Sequence, residues 1–142
     1  MLKEFLFGGT TGSSASANIG EAALRIFAGL AMAFGHGINK IPPSEGFIGA
    51  VTGLGLPQPQ LFAWVAGLSE FAGGILLAIG LATRFSALMI LGTMAVAAFM
   101  VHASDPFGDK EMALLYLAIS FFFLLRGSGD LSVDALVRGK KR

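Results

Sequence analysis

Six ionisable side chains stand where an apolar sequence gives them little reason to be. Arg25, His36 and Lys40 occur along LRIFAGLAMAFGHGINK, Glu70 in AGLSEFAGG, His102 in AFMVHASDP and Glu111 in KEMALLYLAIS. A carboxyl group near imidazole and ammonium groups suits proton-coupled redox at a quinone ring. His or Lys would bond the carbonyl oxygens there, and Glu70 would relay protons. The same groups serve other chemistries. Two histidines can be axial haem ligands, although the chain has no CxxCH attachment motif. His36, His102 and Glu70 together could hold a divalent metal, and the set could also line a proton or small-solute path. Most members have plainer roles too: His102 as an interfacial residue, Lys40 as a snorkelling anchor, Glu111 as a favourable charge at a helix N-terminus. Glu70 is different, because a charge near the bilayer centre costs at least about 2.5–3.5 kcal/mol unless it is paired, protonated or hydrated.

Helical spacing decides which of these groups meet. At about 100° per residue, Arg25, Gly29, Met32, His36 and Lys40 share one stripe, and Ala63, Gly67, Glu70, Gly74 and Ala78 share another. Small residues at such spacing mark helix–helix contact in membranes. Glu70 therefore points into a bundle, and its expected partners are Arg25 from one side and His36 from the other. Glu21 and Arg25, four apart, can offset each other. His102 falls with Leu91, Ala95 and Phe99, and Glu111 with Leu115, Ala118 and Phe122; Tyr116 falls on a different face.

These stripes need apolar helices to carry them. The chain is 54% hydrophobic and 13% charged, where soluble domains carry about 25% charged residues, and its mean hydropathy is +0.73. That composition implies an integral membrane protein. Four spans are expected, at residues 19–41, 61–83, 84–103 and 110–126, given about 20 apolar residues per crossing. The fourth has the shortest uncharged run. Basic residues at 3, 84, 126, 138 and 140–142 fall on one side of this arrangement and Lys40 and Lys110 on the other, so both termini are expected in the cytoplasm. Trp64 then suits the outer aromatic belt, and His36, Lys40, His102 and Glu111 gather in one outward-facing pocket above Glu70. Between the first two spans, prolines bracket Phe47, Ile48, Val51 and Leu54 at helical spacing, which predicts a short outer capping helix.

Residues 1–18 read as a cytoplasmic segment ending in a flexible linker, with an amphipathic patch over 1–7. Residues 19–126 form the transmembrane domain, and 127–142 a cytoplasmic amphipathic and basic tail in which Ser132 caps a short helix. Asp109 is the expected cap of the fourth span. With no cysteine, disulfides, thiolate metal sites and thiol exchange are excluded from this chain. A net charge of +1 supports no nucleic-acid partner.

The order and spacing of LRIFAGLAMAFGHGINKI, AGLSEFAGGILLAIGLATRFSAL, MAVAAFMVHASDPF, KEMALLYLAISFFFLLRGSGD and LSVD resemble the DoxX family of small bacterial inner-membrane proteins. The resemblance implies a four-helix membrane fold and quinone- or redox-linked work, as a subunit of an oxidoreductase complex. It also suggests that Arg25, His36, Lys40, Glu70, His102 and Glu111 match the family's polar positions. Any thiol chemistry would belong to a partner. The expectation is thus an all-α membrane protein, a four-helix transmembrane bundle with both termini inside. Its anticipated partners are the lipid bilayer, a soluble or membrane redox enzyme, and further copies of itself; a quinone is the candidate cofactor. The alternatives are a non-catalytic anchor or assembly factor for a redox enzyme, and a small-solute or metal transporter.

Overall fold

The computed structural model describes residues 13–139. The amphipathic patch expected over 1–7 and the last basic residues, 140–142, lie outside that range. Helices α1 (Ala15–Lys40), α2 (Glu45–Gly53), α3 (Pro59–Ile79), α4 (Thr83–Val101), α5 (Phe107–Arg126) and α6 (Val133–Arg138) follow in order. The described residues contain no strand. The capping helix expected from the proline brackets is α2, with Ser44 Oγ accepting the Phe47 N–H at 3.2 Å. Ser14 caps α1 by accepting the Ala17 N–H at 3.3 Å. Residues 15–18, expected as linker, are therefore helical.

α1, α3 and α4 are each long and apolar enough to cross a bilayer, which makes the chain a multi-pass membrane protein. Large apolar side chains such as Phe27, Phe34 and Phe99 face outward from them, as lipid contact requires. α5 is shorter in apolar terms. Asp109, Lys110, Glu111 and Arg126 confine its uncharged run to residues 112–125, about 21 Å at 1.5 Å per residue against a hydrocarbon core of about 30 Å. It packs along α4 and buries Ala113, Ser120 and Phe123. Its N-cap is Pro106, and Asp109 lies within the first turn rather than at the cap.

Backbone contact through glycine sets the α1–α3 crossing. A Cβ on Gly29 would lie 2.5 Å from the Gly74 carbonyl oxygen, and one on Gly74 would lie 2.7 Å from the Gly29 carbonyl oxygen. The small-residue stripe expected on α3 is therefore its face toward α1: Ala63, Gly67, Glu70, Gly74 and Ala78 are all buried.

The face of α1 keeps the expected stripe through Met32, 1% exposed, and departs from it at His36. Residues Ala31–Gly37 are π-helical, and the N–H of Ile38 bonds the carbonyl of Ala33, five residues back. Glu21, Arg25 and Gly29 are buried four apart in the α-helical part, and the wider turn continues that spacing to the buried Ala33 and Gly37. Gly37, not His36, thus meets α3, where a Cβ would run into the backbone of Glu70 and Phe71. His36 is turned outward and exposed.

Candidate functional site

The ionisable residues separate into two clusters at opposite ends of the bundle. Arg25 and Lys40 are fifteen residues apart on α1, about 22 Å along the axis. At the end that carries α2, Lys40 reaches back to α3 and donates to both Glu70 oxygens, Oε1 and Oε2, each at 2.6 Å. The backbone positions this pair: Gly67 lets α3 approach so closely that a Cβ there would lie 2.7 Å from the Lys40 carbonyl oxygen. Glu70 is about 16 Å from the start of α3 and about 14 Å from its end by helical rise, so the carboxyl is deep in the helix, as expected. Its partner is neither Arg25 nor His36. The pair is asymmetric, since the Glu70 side chain is 1% exposed and that of Lys40 31%. The Lys40 ammonium also sits 5.5 Å from the centroid of the Phe47 ring on α2, a cation–π distance that ties the capping helix to the pair.

One turn before Lys40, the His36 ring packs edge-on against Tyr116 of α5 with centroids 5.6 Å apart. Helical spacing alone places Tyr116 on a different face from the cluster. The π-helical turn reverses that, because it swings His36 off the α3 face and toward α5. The other expected members do not converge. His102 Nδ1 lies 2.8 Å from Asp105 Oδ2 in the connection after α4, with both side chains well exposed. Glu111 is exposed on the first turns of α5. No group of three or more His, Asp or Glu side chains among the described residues is placed to hold a metal, so the His36–His102–Glu70 set is not assembled.

Arg25 belongs to the second cluster, at the end where α6 lies. It is 1% exposed and donates from Nη1 to the carbonyls of Leu77 and Ala78, both at 3.1 Å, and from Nη2 to that of Leu131 at 2.6 Å. Glu21, expected to offset Arg25, is near enough to do so by its charge, while its direct ion pair is with Arg126 across the bundle, Nε to Oε1 at 2.7 Å and Nη2 to Oε2 at 3.1 Å. The most important group here went unread in the sequence. Asp134 is fully buried and accepts the N–H of Ala82 at 2.7 Å and of Thr83 at 3.0 Å. It thereby caps α4 from 51 residues away. Its own N–H donates to the Gly80 carbonyl at 2.8 Å. Ala82 has a left-handed φ of 47°, which a residue with a Cβ seldom adopts, and the carboxylate holds the N–H of that residue. Gly80, φ 71°, leaves the space that the Arg25 guanidinium occupies. The expected tail is thus docked at its start. Ser132 does cap α6, accepting the Ala135 N–H at 3.1 Å, while Leu136 and Val137 stay exposed.

A cavity of about 320 Å³ lies between α2, α3 and α4, with Ser69 in its wall. Val51, Leu54, Val65, Leu88 and Val96 dominate its wall.

Among known proteins, the "Putative oxidoreductase CatD" of Bacillus subtilis is 36% identical over 128 residues, covering 89% of this chain and 93% of that one. Two uncharacterized proteins of Haemophilus influenzae match about half of the chain. One is 36% identical over 77 residues and spans 58% of its own length; the other is 32% identical over 74 residues and spans 49%. No solved structure matches. The DoxX family profile covers residues 20–103, from α1 to just beyond α4, and so includes Arg25, Lys40, Glu70 and His102. The chain is a member of the DoxX family.

Proposed function

We propose that the protein is the membrane-embedded component of a redox system of the bacterial inner membrane, presenting a proton-exchanging site to a quinone. The observation that carries this is the Lys40–Glu70 pair, an acid sealed at 1% exposure and joined at 2.6 Å to an amine that is 31% exposed. Such a pair deep in an apolar bundle is expensive to keep, and its half-open geometry leaves one donor group reachable from outside. The family membership and the oxidoreductase name of the Bacillus subtilis relative support redox work. The outward apolar residues of α5, including Leu115, Phe121 and Leu125, support reading it as a fourth span. With four spans, Arg84, Arg126 and Arg138 at the α6 end favour both termini in the cytoplasm.

Reduction of a quinone consumes two electrons and two protons. The electrons come from a partner dehydrogenase. This chain supplies position and protons: the Lys40 ammonium, held by Glu70, turns a remaining N–H to a ring carbonyl oxygen and stabilises the charge that develops there. Glu70 holds the ammonium in place through both carboxylate oxygens and is the group proposed to relay protons to it. His36, one turn before Lys40 on α1, and Tyr116 of α5 form a second polar pair.

Trp64, the single tryptophan, lies six residues from Glu70, about 9 Å along α3, and reports binding by quenching. Ubiquinone-1 titrated into purified protein should quench Trp64 saturably. The Lys40→Met/Glu70→Leu double variant, which removes both charges together, should show only the linear collisional component. Equal saturable quenching in both proteins, or none in the wild type, would remove the quinone reading.

A non-catalytic anchor for a redox enzyme is favoured by a different observation. The Arg25, Glu21–Arg126 and Asp134 contacts are all internal bonds that hold the α6 end together, as a docking platform requires. Under that reading a partner is co-purified equally by wild type and double variant, without any response to quinone.

A further inference from the structure

The cavity between α2, α3 and α4 has no part in either cluster. We infer that it is a binding site for one hydrocarbon chain of a bilayer phospholipid, entering sideways between α3 and α4. Three observations lead there.

The first is the chemistry of the wall. Of its twelve lining residues only Ser69 and Thr93 carry side-chain polar atoms. Both hydroxyls are turned to their own helix: Ser69 Oγ donates to the Val65 carbonyl at 2.6 Å and Thr93 Oγ1 to the Met89 carbonyl at 3.2 Å. A volume of about 320 Å³ would hold on the order of ten waters at about 30 Å³ each, and every buried water needs two to four polar partners. The wall cannot provide them. Left empty, the space would forfeit the dispersion contacts of every residue around it. Hydrocarbon is the occupant that fits.

The second is the direction of entry. Phe62, Val65 and Leu88 line the cavity and are also 39%, 40% and 43% exposed. They lie on two helices that are apolar enough to cross a membrane, so the medium at the mouth is lipid. The far side is closed by Val51 and Ser69, both buried.

The third is Gly92. It sits inside α4, where glycine is disfavoured by about 1 kcal/mol against alanine, and it lines the cavity. Gly29, Gly37, Gly67 and Gly74 are explained by helices that touch there, but a Cβ on Gly92 would meet nothing within 4 Å. Some glycines elsewhere on the surface are equally open; Gly92 differs from them in lining the cavity. Its missing side chain is room kept for the chain of a lipid.

The test uses the whole protein in mild detergent, with palmitoyl-oleoyl phosphatidylglycerol and menaquinone-4 offered in separate arms, read by native mass spectrometry. Wild type and Gly92→Ala should each retain one phospholipid at collision energies that strip the rest. Gly92→Leu, whose side chain enters open space, should retain at least tenfold less at an unchanged melting temperature. In parallel, wild type in vesicles containing a phospholipid with a mid-chain diazirine should be labelled at the half-buried Met89 or Thr93. Labelling confined to outward residues such as Phe27 and Leu125 overturns the site without recourse to any variant. So does equal phospholipid retention by Gly92→Leu, or retention of menaquinone-4 with no phospholipid.

Discussion

The Lys40–Glu70 pair should behave as a coupled unit, and its energetics can be worked from the geometry. Two unit charges at 2.6 Å attract by roughly 6 kcal/mol at an effective dielectric near 20, and desolvation offsets most of that. Replacing both partners with apolar residues of similar volume therefore changes stability little, while removing one leaves an uncompensated charge at a cost of about 3–5 kcal/mol. The two single variants differ. In Lys40→Met the stranded carboxylate belongs to a side chain 1% exposed, so the full cost of about 3–5 kcal/mol applies. In Glu70→Leu the stranded ammonium belongs to a side chain already 31% exposed and can turn outward, which lowers the cost to about 1–2 kcal/mol. The Lys40→Met/Glu70→Leu protein should lie within about 1 kcal/mol of wild type. Reversible unfolding in mixed micelles on raising the fraction of SDS measures all four proteins. A coupling energy of about 3 kcal/mol or more is expected from the double-mutant cycle. Additive single costs, or a Glu70→Leu variant less stable than Lys40→Met, would refute the account of a sealed acid with a half-open base.

Other consequences are smaller experiments. Asp134→Ala removes two charge-assisted bonds to the Ala82 and Thr83 N–H groups and should cost about 3 kcal/mol or more in the same titration. Asp134→Asn, which can still accept one of them, should recover part of that. Gly37→Ala drives a methyl into the Glu70–Phe71 backbone and should lower stability by about 1–3 kcal/mol. Gly35→Ala, two residues away with open space around it, should be neutral or raise stability by up to about 1 kcal/mol; similar effects at both sites would contradict the α1–α3 contact. His102→Ala breaks only an exposed contact with Asp105 and should shift stability by less than about 1 kcal/mol while leaving ubiquinone-1 quenching of Trp64 intact.

The limits of sequence reading fall along physical lines. The inward face of α3 was legible because small residues recur there at regular helical spacing, and Glu70 came with them. The cap of α2 was legible because prolines bracket it. The partner of Glu70 was not, since the stripe on α1 assumed a constant 100° advance and the π-helical turn over Ala31–Gly37 resets the register. His36 and Lys40 exchange roles as a result. Glu21 shows a second limit: its local partner Arg25 is four residues away, but Arg126 lies 105 residues on, and only the assembled bundle brings it close. Asp134 shows a third. Nothing around LSVD distinguishes a carboxylate bound for solvent from one that caps a distant helix.

That distant cap bears on how the protein is made. Thr83 leaves the ribosome 51 residues before Asp134, and Arg25 leaves 106 residues before Leu131. During that interval the left-handed turn at Ala82 has no carboxylate to hold it, and the Arg25 guanidinium lacks its Leu131 acceptor. The α3–α4 turn is therefore synthesised before the carboxylate that caps α4. Synthesis and final assembly are separated in time, and a chain interrupted before Asp134 would carry an open, recognisable defect for membrane proteases to find.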